Sequence, residues 1–176
     1  MYPFLRLLKE LLVARRAPAL GVLGTHVSHH ICWPWDLDPF RELNNGRTLT
    51  LFDLGRIPLA RRTGIGRVLA AQGWSITVAG SAPRYRRRVV VFDRLRMHSR
   101  CIGWDARFLY MEQSMWRGAE CTSHVVIRSA IVGSAGIVPP SQAMAAMGLP
   151  VESPPLPDWV QAWIAAEALR PWPPTL

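Results

Sequence analysis

Two carboxylates stand two residues apart in Trp33-Pro34-Trp35-Asp36-Leu37-Asp38-Pro39-Phe40-Arg41-Glu42, and Asn44-Asn45-Gly46 follows just ahead of an apolar run. A carboxylate held against a carbonyl can attack it directly or take a proton from water. Asn44 or Asn45 is a natural N-cap, because its short side chain accepts from the orphan N–H groups of a first helical turn. The macrodipole at such a terminus favours negative charge, including charge that develops on a substrate oxygen. Acid, cap and helix start together outline a site.

Other residues suggest chemistry less strongly. His26, His29 and His30 invite a metal reading, but strand alternation leaves just His26 and His30 on one face with no third ligand nearby, so no metal is expected. Asp53 and Arg56, three apart, suit an internal ion pair better than catalysis. Arg84-Tyr85-Arg86-Arg87-Arg88 could hold an anion, or could be charges guarding a strand edge. A nucleic-acid partner is not expected, since no nucleic-acid motif accompanies this run and it has one tyrosine for stacking. Cys32, Cys101 and Cys121 form no CxxC pair and are odd in number, which points to free thiols in a reducing, cytoplasmic setting.

The elements that must position these groups can be outlined. Met1 to Arg16 is a basic amphipathic segment, for which docking on its own domain or on a dimer mate is preferred over a membrane surface. Pro18 to Gly24 is a linker, and Thr25 to Trp35 alternates as a strand. A helix from about Asn45 carries Leu49, Leu51, Phe52, Leu54 and Ile57, apolar on most of its circumference, so other structure must wrap it. Pro58 is expected to end or kink it. From Trp74 onward the chain reads as antiparallel sheet, with a bend at Ala82-Pro83, Val89 to Phe92 after the arginines, a hairpin at Gly103-Trp104-Asp105 and a further strand over Cys121 to Val132. A Pro-rich stretch then leads to a last helix capped by Asp158. The expected divisions are residues 1–24, 25–136 and 137–176.

The chain has 176 residues, enough for one domain with a single substantial core, and 49% hydrophobic content argues against disorder. Its net charge of +9 and pI near 10.9 point to an anionic partner. Lys9 is the sole lysine, so the charge is almost all arginine, which suits bidentate phosphate binding but also follows from biased genome composition.

Asp36-x-Asp38, Asn44-Asn45 and Asp53-x-x-Arg56, with Ile102-Gly103-Trp104-Asp105 and Pro154-Pro155-Leu156-Pro157-Asp158, resemble the hot-dog-fold acyl-CoA thioesterases of the 4-hydroxybenzoyl-CoA thioesterase-like superfamily. Within that family they are most similar to the branch of thioesterase superfamily member 6. The resemblance covers roughly residues 25 to 168. It implies an α+β hot-dog fold, an antiparallel sheet wrapped around a long central helix. It further implies an acyl-thioester hydrolase in which Asp38 is nucleophile or general base. Backbone N–H groups of Asn45 and Gly46 would hold the oxyanion, and Asn44 would fix the loop. Arg84, Arg86, Arg87 and Arg88 would meet the phosphates of coenzyme A, which enters as part of the substrate with no other cofactor. Glu42 stands where the family has histidine, and Thr48 where it has tyrosine. Glu42 is thus either a second acid or a charge that repels an ionised Asp38. That substitution keeps a second reading open, a catalytically weak acyl-binding or scaffold protein. The family also implies a homodimer or dimer of dimers with sheets joined edge to edge.

Overall fold

The computed structural model describes residues 2–174. Its centre is α2 (Asn45–Arg62), which buries Leu51, Phe52, Leu54, Gly55, Pro58 and Leu59. Around it curls an antiparallel sheet of β1 (His26–Ile31), β2 (Ser75–Tyr85), β3 (Arg94–Trp104), β4 (Phe108–Arg117) and β5 (Glu120–Gly133), in the order β1-β3-β4-β5-β2. A short β6 (Gly136–Val138) pairs with the end of β5. This is the α+β hot-dog arrangement.

Strand alternation sorts the packing. Leu95, Met97, Met111, Met115, Val125 and Ile127 face α2 and complete the main core. Tyr110 and Val126 point to the opposite face, where Val160 and Trp163 of α5 (Asp158–Leu169) cover them. Two short helices, α3 (Ile65–Ala71) and α4 (Pro140–Ala146), close one end around Trp104, Leu109 and Ile131. The sheet approaches α2 closely at Gly55, where a Cβ would fall 2.7 Å from Met97 Sδ and closer still to Ser99 Oγ, so any larger residue would force those buried side chains to shift. Beside it, buried Gln113 donates to the Phe52 carbonyl at 2.7 Å and to Ser99 Oγ at 2.8 Å, and accepts from Arg56 at 3.1 Å. Arg56 is also ion-paired with Asp53, so the Asp53/Arg56 pair anchors the helix to the sheet.

Several sequence expectations need correction. Pro58 does not end α2, which runs on to Arg62, because Leu54 and Leu59 on either side are buried, each worth about 1.5–3 kcal/mol against the roughly 3 kcal/mol cost of an internal proline. Strand β1 stops at Ile31 and gives way to a short 3-10 turn at Pro34–Asp36, so Trp33 and Trp35 lie outside it. The bulge in β2 falls between Val78 and Gly80, while Pro83 stays in register opposite Val125 on an edge strand. Val89 to Phe92 form a turn, not a strand, with Phe92 at φ 66°. Asp158 is the first residue of α5, and Pro157 precedes it as the cap.

The amino-terminal α1 (Phe4–Arg16) packs on α2 through Leu7, Glu10 and Ala14. Buried His26, Ser28 and His30 share one face of β1, while Val27 and His29 are exposed on the other. His30 meets Ser28 Oγ at 2.8 Å, and His26 faces Arg62 at 2.9 Å. Among the described residues no three histidine, cysteine or carboxylate side chains gather as a metal site requires. Burial pushes the thiols of Cys32 and Cys101 up to about 11, with Asp36 and Asp93 adding to the effect at Cys32.

Candidate active site

The two carboxylates of the Asp36-x-Asp38 pair have separate fates. Asp36 is fully buried and accepts from three donors: the Trp33 N–H at 3.0 Å, Arg47 at 2.6 Å and Arg6 at 2.7 Å. Burial alone would raise its pKa, but these three donors outweigh it and hold the carboxyl below its ordinary value. With its oxygens so occupied, Asp36 is an anchor that ties α1 and α2 to the loop between them.

Asp38 faces the other way. A bridge between Leu37 and Leu43 closes the loop, and the Asp38 N–H donates to the Glu42 carbonyl at 2.8 Å. Asp38 Oδ1 accepts from Phe40 N at 2.9 Å and Glu42 N at 3.4 Å, which fixes the carboxylate plane. Its Oδ2 has no partner among the described residues. The Asn44 N–H donates to the Asp36 carbonyl at 3.0 Å, and Asn44 Oδ1 caps α2 by accepting from Arg47 N at 3.0 Å. Thr48 is buried and donates to the Asn44 carbonyl at 3.1 Å. The helix therefore starts where Asp38 ends its turn.

Asp38, Glu42, Asn45, Arg86, Arg87 and Arg88 line one recess of about 410 Å³. Arg84 lies outside its lining, as do Asn44, which is spent on the cap, and Gly46. The N–H of Asn45 has no partner among the described residues, whereas that of Gly46 donates to Asn45 Oδ1 at 2.8 Å. The Asn45 side chain must rotate before Gly46 can offer its N–H to a ligand. Glu42 is paired with Arg88 at 3.2 Å, which turns its charge toward the arginine. Arg87 is paired with Glu120 at 2.7 Å, and Arg117 shares that carboxylate at 2.8 Å. Arg84 and Arg86 have no acidic partner among the described residues, and of the two Arg86 lines the recess.

Two further polar residues of the recess escaped the sequence reading. Tyr85, at the end of β2, donates its hydroxyl to the Asn45 carbonyl at 3.2 Å, and burial raises its pKa so that it stays a donor. Ser123, on β5, is buried with its Oγ unpartnered among the described residues. A buried hydroxyl without a partner costs about 1–3 kcal/mol, so the Ser123 hydroxyl is open to a polar group entering the recess it shares with Asp38. Tyr85 stands out in the sequence only as the aromatic of the basic run, and Ser123 carries no sequence signal, because it arrives from a strand far along the chain.

The sequence model of the thioesterase-like superfamily matches residues 32–164, which contain the whole recess. The chain belongs to that superfamily. Among its relatives, Protein THEM6 of Xenopus laevis is 28% identical over 164 residues, covering 92% of this chain and 78% of that one. Protein THEM6 of Drosophila melanogaster is 32% identical over 94 residues, covering 52% of this chain and 48% of the fly protein, about half its length. Solved structures share the fold at low identity. The probable thioesterase YbaW of Escherichia coli superposes with a TM-score of 0.65 at 14% identity, covering 69% of this chain and 96% of its own. The 1,4-dihydroxy-2-naphthoyl-CoA thioesterase Slr0204 of Synechocystis gives 0.56 at 11% identity, covering 81% and 96%. Within the matched region, Asp38 and Asn45, whose Oδ2 and N–H have no partner among the described residues, line the same recess.

Proposed function

We propose that this chain hydrolyses acyl thioesters, with acyl-CoA as the substrate class and Asp38 as nucleophile or general base. The observation that carries the reading is the unpartnered Asp38 Oδ2 in the same recess as the unpartnered N–H of Asn45 at the α2 terminus. As a general base, Asp38 takes a proton from water while the water oxygen attacks the thioester carbon. The carbonyl becomes an oxyanion, which the Asn45 N–H, and the Gly46 N–H once released, stabilise with the macrodipole. Collapse expels the thiolate, which recovers the proton from Asp38. As a nucleophile, Asp38 attacks the carbon itself, the thiolate leaves, and water hydrolyses the resulting anhydride. Ser123 is a donor for the bound carbonyl or water in either route, and Tyr85 becomes one on releasing the Asn45 carbonyl. Arg86 is the first candidate for the CoA phosphates, with Arg87 and Arg88 adding to the field. The molecule works as a homodimer through the exposed edge of β2.

Asp38→Asn keeps the shape of the turn and removes the charge both routes need. The expected result is a folded protein whose kcat/KM for acyl-CoA falls by at least about 100-fold. Equal turnover by variant and wild type would overturn the assignment of Asp38. No turnover by wild type, with acyl-CoA bound by both, would favour the acyl-binding reading instead.

A further inference from the structure

Helix α1 is turned inside out relative to an ordinary surface helix. Its inner face holds Arg6, clamped to Asp36, together with Leu7, Glu10 and Ala14. Its outer face presents Leu5, 84% exposed, with Leu8 and Leu12 exposed one and two turns on. These are positions i, i+3 and i+7, a single stripe. Leu5 also borders a groove shared with Trp33, and Phe4 and Leu5 border another shared with Trp35. Trp33 and Trp35 stack with ring centroids 5.3 Å apart, and Phe92 meets Trp33 edge-on at 6.1 Å. Trp35 is 66% exposed, and Phe92, 60% exposed, is held outward at the positive φ that bulky residues rarely adopt. Leucine stripe and aromatic cluster thus form one continuous apolar surface.

Cations rim it. Lys9, Arg15 and Arg16 flank the stripe on α1, and Arg94 and Arg96 are exposed on β3, Lys9, Arg94 and Arg96 lining the Trp33 groove. Lys9 is paired with buried Glu10 at 2.7 Å, but no acid is ion-paired with Arg15, Arg16, Arg94 or Arg96 among the described residues, and Asp93 is bound to Arg117 at 2.9 Å. We propose that this surface docks on an anionic phospholipid bilayer, leucines and aromatics entering the interface while the cations meet the headgroups. Tryptophan beside arginine is the composition that interfaces favour, and a helix with an apolar stripe and basic flanks lies in the interfacial plane. No helix among the described residues is long and apolar enough to cross a membrane, so the contact is peripheral. A second copy is a poorer occupant, because two-fold pairing of this face would bring Arg15, Arg16, Arg94 and Arg96 against their own equivalents. Nucleic acid is poorer as well: Trp35 and Phe92 offer rings, but the exposed leucine stripe would find no apolar partner on it. Docking would hold the Trp35–Asp38 loop against the bilayer.

The test uses the full chain in co-sedimentation with vesicles of phosphatidylcholine alone, or mixed with phosphatidylglycerol. The protein is expected to pellet with the mixed vesicles, less so as salt rises, and not with phosphatidylcholine alone. The variant Leu5→Gln/Leu8→Gln/Leu12→Gln should lose binding with an unchanged circular-dichroism spectrum. Trp35→Ser, on a different element, should weaken it with α1 untouched. Arg15→Gln/Arg16→Gln should weaken it by roughly 30-fold, about fivefold per cation. No pelleting with either vesicle overturns the proposal. So does retained pelleting of the leucine variant, which would mean adhesion by charge alone. A lower sedimentation coefficient of the leucine variant in the absence of lipid would instead identify the surface as a contact between copies, and overturns it too.

Discussion

At the residue scale, charge pairing divides arginines that look alike in sequence. Arg87 and Arg88 are held by Glu120 and Glu42, while Arg86 lines the recess with no acidic partner among the described residues. Arg86→Ala is therefore expected to raise KM for acyl-CoA by about tenfold at low salt, the loss of one charge-assisted contact at an exposed site. A small thioester without phosphates should be hydrolysed as before. Arg87→Ala removes a surface ion pair worth at most about 1 kcal/mol and should raise the acyl-CoA KM far less than Arg86→Ala does. Steady-state kinetics on the two substrates separate these outcomes. The same scale shows what the sequence could carry. Asn44 was legible as a cap because its partner, Arg47, is three residues away. The division of labour between Asp36 and Asp38 was only partly legible, since it depends on Arg6, thirty positions upstream. Ser123 and Tyr85 were not legible, because sheet pairing alone brings β5 and β2 to the start of α2.

At the scale of elements, α1, the loop and α2 meet at Asp36, and β1 carries two neutral imidazoles beneath α1. Asp36→Ala leaves Arg6 and Arg47 partly buried without their carboxylate, so a loss of about 3–5 kcal/mol in unfolding free energy is expected, read from denaturant titration. The histidines set the response to acid. Burial first, then Arg62, pushes His26 down to about 4, and burial with Arg6 and Lys9 pushes His30 down to about 3. In the unfolded chain both titrate near 6.5. Between those values the unfolded state binds more protons than the folded one, so stability is full above about pH 6.5 and falls as pH drops toward 3. Glu112, held at about 2 by His124 and then Arg100 against the opposing effect of burial, extends the loss below about pH 4.5. Melting curves against pH should show the decline beginning near 6.5, and His26→Gln/His30→Gln should flatten the part above 4.5. A flat wild-type curve from 6.5 to 4.5 would contradict neutral burial. The strand and the sorting of its residues onto two faces were readable from alternation, but that the His26, Ser28 and His30 face is the buried one was not. Its early end was not, because the turn at Pro34–Asp36 is imposed by the Arg6 and Arg47 contacts.

At the scale of the whole molecule, the sheet has two edges, and they are treated differently. Beyond β1 lies the basic, aromatic surface of α1 and the Trp33 loop. At the other edge β2 is exposed along nearly its whole length, with Val78 at 50% and Ile76 at 43%. Monomeric proteins guard such edges with charge, proline or cover, and the stretch from Ser75 to Ala82 has neither a charge nor a proline. An apolar, uncharged strand with one side paired to β5 and the other open is suited to an antiparallel partner, and an identical strand across a two-fold axis supplies one. That the chain forms a sheet around one helix was legible from the order of apolar runs. Which strand forms the open edge was not, because the β2–β5 pairing skips over two intervening strands. Val78→Lys places a charge in the middle of this edge, at a half-exposed position that lines a cleft with Asp53 and Arg56 of α2. It is expected to turn a dimer into a monomer in sedimentation velocity, with the fold retained by circular dichroism. If Tyr85 and Ser123 of β2 and β5 depend on the paired edge for their positions beside Asp38, hydrolysis of acyl-CoA should fall with the dimer, and wild type should lose specific activity on dilution through the same transition. A wild type that sediments as a monomer at every concentration, with full activity, would exclude the shared edge. Persistence of the dimer in Val78→Lys would move the interface off β2, and the remaining uncovered apolar surface to search would be the stripe of α1.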